Sequence, residues 1–227
     1  MKLKRHYLVE ITDEGREWTY SRVIENGYHL AKKDQIKELI VTGYGLSKVP
    51  GIARREESEM VDGTIPIGFA SPSLHEDMRL RIPAFVIEED IVAVINPYEV
   101  LQQVYSARTD CLKALNEIRA VADKSDIELG IWGSAGLEVY TGLPYTHDKS
   151  DLDLIMGVTD FETMKNFYMT LQRIGERYSC RIDMELDLPN GFGIKFAELL
   201  METKQVLAKG LNNVTLIPKK KILDMVA

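Results

Sequence analysis

At 227 residues, 45% hydrophobic and 28% charged, the chain has the composition of an ordinary globular protein and is long enough for one large or two small domains. Its formal net charge of −7 argues against a general nucleic-acid-binding surface, which needs a basic patch, yet leaves room for a nucleotide held by local N–H groups and cations. Cys111 and Cys180 stand in no metal or redox spacing, the N-terminus has no apolar signal core, and no run reaches the ~20 apolar residues of a membrane span, so a cytoplasmic protein is expected.

The first predicted element is a strand over residues 7–11, preceded by Arg5 and His6. His6 is a candidate substrate contact, although a lone histidine at a strand start more often serves structure. Residues 17–26 show no clear period, whereas AKKDQIKELIVTG combines helix formers with a stop at Gly43. Beyond a Pro-Gly turn come Arg54 and Arg55, each able to fork onto a phosphate or to pair with Glu56, Glu57 and Glu59 just after them. GTIPIGFASP and RIPAFVIEEDIVAVINP supply strong β runs, and Arg79 and Arg81 share a face if their segment is extended, where surface charge is the plain reading.

Asn96, Pro97 and Glu99 have the spacing of a capped helix start, which predicts a long helix carrying Leu101, Val104, Cys111, Leu115 and Ile118 on one face, with Arg108 interrupting. The domain boundary is placed near Ile95, dividing the chain into residues 1–95 and 96–227.

The chemistry concentrates in residues 133–157, GSAGLEVYTGLPYTHDKSDLDLIMG. IELGIW alternates as a strand and runs into Gly133-Ser134 and a short helix, so glycine backbone, serine hydroxyl and helix-start N–H groups can cradle a phosphate. Asp151 and Asp153 alternate with leucines in the next strand, leaving one face about 6.5–7 Å apart at their Cα atoms, close enough for both carboxylates to reach shared divalent ions. Magnesium suits that pair better than zinc, whose nitrogen and sulfur ligands are missing, and an EF-hand register puts apolar residues where oxygen ligands are required. A Gly-Ser turn alone or an Asp-x-Asp alone means little; their combination on adjacent strands points to a site.

Thr159 and Glu162 then have capping-box spacing ahead of a helix with Met164, Phe167, Leu171 and Ile174 as its core face. In CRIDMELDLPNG a further strand puts Asp183, Glu185 and Asp187 on one face, and Asn190-Gly191 turns it back toward Lys195, a lysine read as exposed rather than as a substrate contact. The terminal PKKKILDMVA is a basic cluster with too few cations for a nucleic-acid patch.

Gly133-Ser134 followed by Ser150-Asp151-Leu152-Asp153-Leu154 resembles the signature of the nucleotidyltransferase superfamily related to DNA polymerase beta. Thr141-Gly142-Leu143-Pro144-Tyr145 and His147, between those halves, resemble more narrowly the malonate decarboxylase holo-acyl-carrier-protein synthases, or phosphoribosyl-dephospho-CoA transferases. The likeness is firm over residues 130–185, and Arg5-His6, GIARRE and IPIGF extend it toward the N-terminus.

The resemblance implies an α+β fold: a nucleotidyltransferase-like mixed β-sheet with flanking helices, after a smaller β-rich α/β domain that binds substrate or carrier protein. It implies two magnesium ions held by Asp151, Asp153 and Asp183, with Glu185 as the alternative third acid, because Met184 stands where the narrower family has glycine. Gly133, Ser134, Lys149, Ser150, Arg54 and Arg55 become the substrate-binding candidates, and Tyr145 and His147 shape the loop. The implied reaction moves phosphoribosyl-dephospho-CoA from its triphosphoribosyl precursor to a serine of the malonate decarboxylase acyl carrier protein, with neither nucleic acid nor membrane as partner. An adenylyltransferase for another acceptor and a non-catalytic nucleotide-binding module are the rivals.

Overall fold

The hydrophobic alternation of the N-terminal third and the mixed pattern after Asn96 resolve into two packed units, each with its own sheet, in an α+β architecture. The computed structural model describes residues 3–27, 30–55, 62–75 and 78–225. One unit comprises Met1–Asn96 with Thr141–Tyr145, and the other Pro97–Tyr140 with Thr146–Ala227.

The first unit runs β1 (Leu8–Ile11), α1 (Asp13–Glu25), α2 (Lys33–Lys37), a π-helical turn (Glu38–Thr42), β2 (Gly51–Ala53), β3 (Thr64–His75), β4 (Met78–Ile87) and β5 (Ile91–Ile95). Its sheet has the order β4-β3-β2-β1-β5, antiparallel throughout. The helical segment stops at Gly43 in a left-handed conformation that favours glycine (φ 74°). Helix α1 covers the stretch with no readable period because its buried face, Gly15, Arg16, Thr19 and Val23, has helical spacing but is mostly polar. Arg16 is 1% exposed and donates to the carbonyls of Ile40 and Val49, each at 2.9 Å.

The second unit begins with α3 (Pro97–Leu101) and α4 (Asp110–Lys124). These correct the expected single long helix. The chain leaves helix after Leu101, Val104 is 99% exposed, and Arg108 lies in the break with its guanidinium drawn to Glu138 at 2.7 Å. A continuous helix could not satisfy that distant buried carboxylate. The stripe resumes on α4 with Cys111, Leu112, Leu115 and Ile118 buried.

Next come β6 (Leu129–Trp132), α5 (Gly133–Thr141), β7 (Leu152–Gly157), α6 (Phe161–Arg177), β8 (Ile182–Asp187), β9 (Gly193–Lys195), α7 (Phe196–Leu200), β10 (Gln205–Lys209), β11 (Val214–Pro218) and α8 (Lys219–Leu223). The sheet order is β11-β10-β9-β8-β7-β6. Only β7 and β8 pair in parallel, which requires a crossover, and α6 supplies it. The cap of α6 is Asp160, not Thr159: its carboxylate accepts the Thr163 N–H at 2.9 Å, and with Phe161 first in the helix Glu162 falls too early to close a box. Met164, Phe167, Leu171 and Ile174 form its buried face as expected. Among the described residues no helix is long and apolar enough to cross a membrane.

Candidate functional site

Because β7 and β8 run in parallel register, Asp153 stands directly beside Asp183, and Leu152 and Leu154 beside Ile182 and Met184. The apolar set is buried on one face, where Ile182 packs against Gly175 of α6. The acids leave the other face. Asp151, Asp153 and Asp183 each offer a carboxylate oxygen within 4.8 Å of the others, an arrangement that can gather around a cation. Glu185 sits one pleat further along, buried beside Ile155 and outside that group, so the geometry joins Asp183 rather than Glu185 to the pair.

Like charges at this spacing repel, and the site shows it. Burial first, then the carboxylates of Asp151, Asp183 and Glu185, push the Asp153 carboxyl up to about 7. Two cations relieve the rim. Arg181 bonds Asp151 at 2.5 Å and lies 3.5 Å from Asp183, and Lys195 bonds Asp183 at 3.2 Å. Asp151 holds the Arg181 guanidinium above its ordinary range. Lys195, read from sequence as an exposed lysine, therefore points into the acid group.

Gly133 opens α5 with φ 69°, and a Cβ there would fall on the Asp153 carboxylate, so the Gly-Ser turn is packed against the acids and only glycine permits it. Ser134 is half-buried in the first turn of α5, a helix whose early N–H groups lack intrahelical partners. Ser150 is buried; its hydroxyl accepts the His147 N–H at 2.9 Å, which closes the turn ahead of Asp151. Lys149 is exposed, with its N–H on His147 Nδ1 at 3.2 Å.

Glu138, on α5, anchors the other end of that loop. Its carboxylate accepts the Thr146 N–H at 2.6 Å, the Thr146 hydroxyl at 2.8 Å, and the Arg108 fork at 2.7 and 2.9 Å. Thr109 and Thr146 hydroxyls bond each other at 2.9 Å. The Thr-Gly-Leu-Pro-Tyr segment itself packs with the first unit. There the Tyr145 ring is buried, its hydroxyl donates to the Ala70 carbonyl at 2.8 Å, and Arg79 stacks over it at 4.9 Å while donating to its carbonyl at 2.7 Å. Arg79 is thus a clamp and not surface charge; Arg81, on the same strand, is exposed.

Arg54 and Arg55 also belong to the first unit, just beyond β2, with Arg55 exposed. Their expected partners Glu56, Glu57 and Glu59 lie outside the described residues. Sequence reasoning missed three residues of the site region. Arg108 and Glu138 left a faint signal, a cation breaking an apolar stripe and an acid inside an apolar helix. Arg181 left only its position two residues before Asp183.

Both halves of the chain match one family. The model described as phosphoribosyl-dephospho-CoA transferase MdcG N-terminal domain matches residues 4–97, and that of the MdcG C-terminal domain matches residues 99–220. A phosphoribosyl-dephospho-CoA transferase of Pseudomonas fluorescens is 31% identical over 169 residues, 74% of this chain and 78% of its own. Proteins of the same name from Xanthomonas euvesicatoria and Xanthomonas campestris are 26% identical over 177 residues (78% and 82%) and 28% over 169 (74% and 78%). No solved structure matches the chain significantly.

Proposed function

From the premise that this chain belongs to the phosphoribosyl-dephospho-CoA transferase family, we propose that it transfers phosphoribosyl-dephospho-CoA from the triphosphoribosyl precursor to a serine of the malonate decarboxylase acyl carrier protein, releasing pyrophosphate. The observation that carries this reading is the meeting of Asp151, Asp153 and Asp183 against the Gly133-Ser134 turn. An all-carboxylate donor set with strained like charges fits a hard divalent cation, and the Gly-Ser turn beside it fits the anion such a cation accompanies. This pairing is what a nucleotidyltransferase-like site requires.

Magnesium held by Asp151, Asp153 and Asp183, two ions in the full site, would neutralise charge on the attacked α-phosphate and the departing pyrophosphate. The remaining work falls to the chain. The serine hydroxyl of the carrier forms the new P–O bond as the bond to pyrophosphate breaks, and its proton passes to Asp183, directly or through water. Ser134 and the first N–H groups of α5 hold the terminal phosphates. Arg181 and Lys195, already on the rim of the acids, exchange their carboxylate contacts for phosphate oxygens. The test is to incubate the protein with magnesium, apo carrier protein and precursor, then weigh the carrier intact. A mass gain matching the prosthetic group supports the reading, and an unmodified carrier, with pyrophosphate released as some other acceptor is modified, ends it.

A further inference from the structure

The acid-bearing face of the second sheet extends over strands that the reaction at the acids does not use. Register carries it across four strands. Glu185 pairs with Lys195 and Asp187 with Gly193, Gly193 pairs with Lys209, and Lys209 and Leu207 pair with Val214 and Leu216. Paired residues project from the same side of a sheet. Gln205, Leu207, Lys209, Val214, Leu216 and Pro218 therefore leave the same side as Asp153 and Asp183, while Val206 and Ala208 are buried on the other. Strand spacing sets β10 about 10 Å and β11 about 14 Å from the strand of Asp183.

That face is apolar and open: Leu207 is 37%, Leu216 57% and Val214 61% exposed, on the edge strand and its neighbour. Leu207 and Leu216 stand directly opposite each other. Residues 204–221 also hold five lysines and no acid, in a chain of net charge −7. Lys209 sits on the face itself, and Lys204, Lys219, Lys220 and Lys221 gather at the end level with Asp183.

We propose that this face of β10 and β11 is where the protein acceptor docks, an acidic partner that seats apolar side chains on Leu207 and Leu216 and carboxylates on the surrounding lysines. The inference rests on the transfer reading, since only a protein acceptor needs such a surface beside the acids. The other occupants fit the surface less well. A second copy of the chain would bring lysine onto lysine across a two-fold axis. A nucleic acid would find no aromatic residue in 204–221 on which to stack. A membrane would find no inserting helix, because α8 has five residues and its Ile222 is buried.

Leu216→Glu and Lys220→Glu, both at exposed positions, test it. In the carrier-loading assay each variant is expected to raise the KM for the carrier about tenfold, with kcat, precursor affinity and melting temperature unchanged, and Lys220→Glu is expected to flatten the salt dependence of that KM. Wild-type carrier KM in both variants overturns the docking face while leaving the transfer reading intact. A wild-type protein that never loads the carrier overturns the transfer reading and this inference together. A dimer in sedimentation that Leu216→Glu dissociates, or flotation with phosphatidylserine vesicles that Lys220→Glu abolishes, assigns the face to those occupants and also overturns it.

Discussion

Glu138 and Asp153 are carboxylates of the same unit, one buried on α5 and one half-buried on β7, and their surroundings are opposite in sign. Glu138 accepts four hydrogen bonds from Arg108 and Thr146, a charge matched by a guanidinium, a hydroxyl and a backbone N–H. Asp153 faces Asp151, Asp183 and Glu185, and the Arg181 guanidinium offsets only part of that crowding. Burial of a charge is therefore not itself a sign of function. A buried carboxylate whose partners are all internal holds the chain in place, whereas one crowded by its own kind is held at a cost that an external cation can lift.

The widest separation between the two should come from activity. Asp151→Ala and Asp153→Ala are each expected to lower turnover by about a thousandfold or more, roughly 4 kcal/mol of transition-state stabilisation, with the melting temperature retained. Steady-state loading of the carrier and a thermal scan read both. Near-wild-type rates from either variant would refute the metal assignment. Glu138→Ala should do the reverse in kind. Leaving Arg108 and the Thr146 N–H without their acceptor is expected to cost about 3 kcal/mol in urea unfolding, and magnesium should restore none of it. Equal destabilisation by Asp153→Asn would erase the distinction.

Proton linkage gives a smaller and more selective contrast. A carboxyl raised from 3.8 to about 7 on folding binds a proton in the native state that the unfolded chain has already lost. Stability of the metal-free protein should therefore be full below about pH 4, fall as the pH rises toward 7, and level off above it. At this partly open site the fall is expected to be about 1 kcal/mol after solvent screening. Asp153→Asn should remove it, seen as a melting temperature above wild type at pH 8 and equal to it at pH 4. A wild-type stability that climbs between pH 5 and 7 through Asp153 would contradict the crowding.

How much of this can be read from the chain follows from how local each cause is. Strands β6, β7 and β8 declare themselves through period-two alternation, and Asp151 with Asp153 needs nothing beyond it, whereas β10 and β11 give no strand reading. Choosing among Asp183, Glu185 and Asp187 is different, because all three share a face and the parallel register with β7, set across the length of α6, decides between them. The long helix fails for a similar reason: the pull of Glu138 on Arg108 acts across thirty residues of sequence. Helix α1 is hidden by its own composition, since Arg16 and Thr19 occupy buried positions that a search for apolar spacing passes over. Arg79 and Tyr145 read as a stray cation and a loop aromatic until the fold stacks them.

The gentlest test bears on the rim. Arg181 lies on Asp151 and Asp183, so any cation entering the group must do so against a guanidinium that is already there. Removing it has two consequences of opposite sign. Arg181→Gln takes away a repelling charge, which favours the divalent ion, but it also takes away the group that lowers the Asp153 carboxyl, which lets protons compete better. At pH 8 the second effect fades because Asp153 is ionised either way. Calorimetric titration with manganese at that pH should then show affinity tightened about two- to fivefold, a modest gain because the guanidinium is mostly exposed and screened. At pH 6 the gain should shrink. Weaker binding at pH 8 would mean that Arg181 shapes the acids rather than competing for them, and the separation drawn between a satisfied and a crowded carboxylate would have to give the guanidinium a structural share.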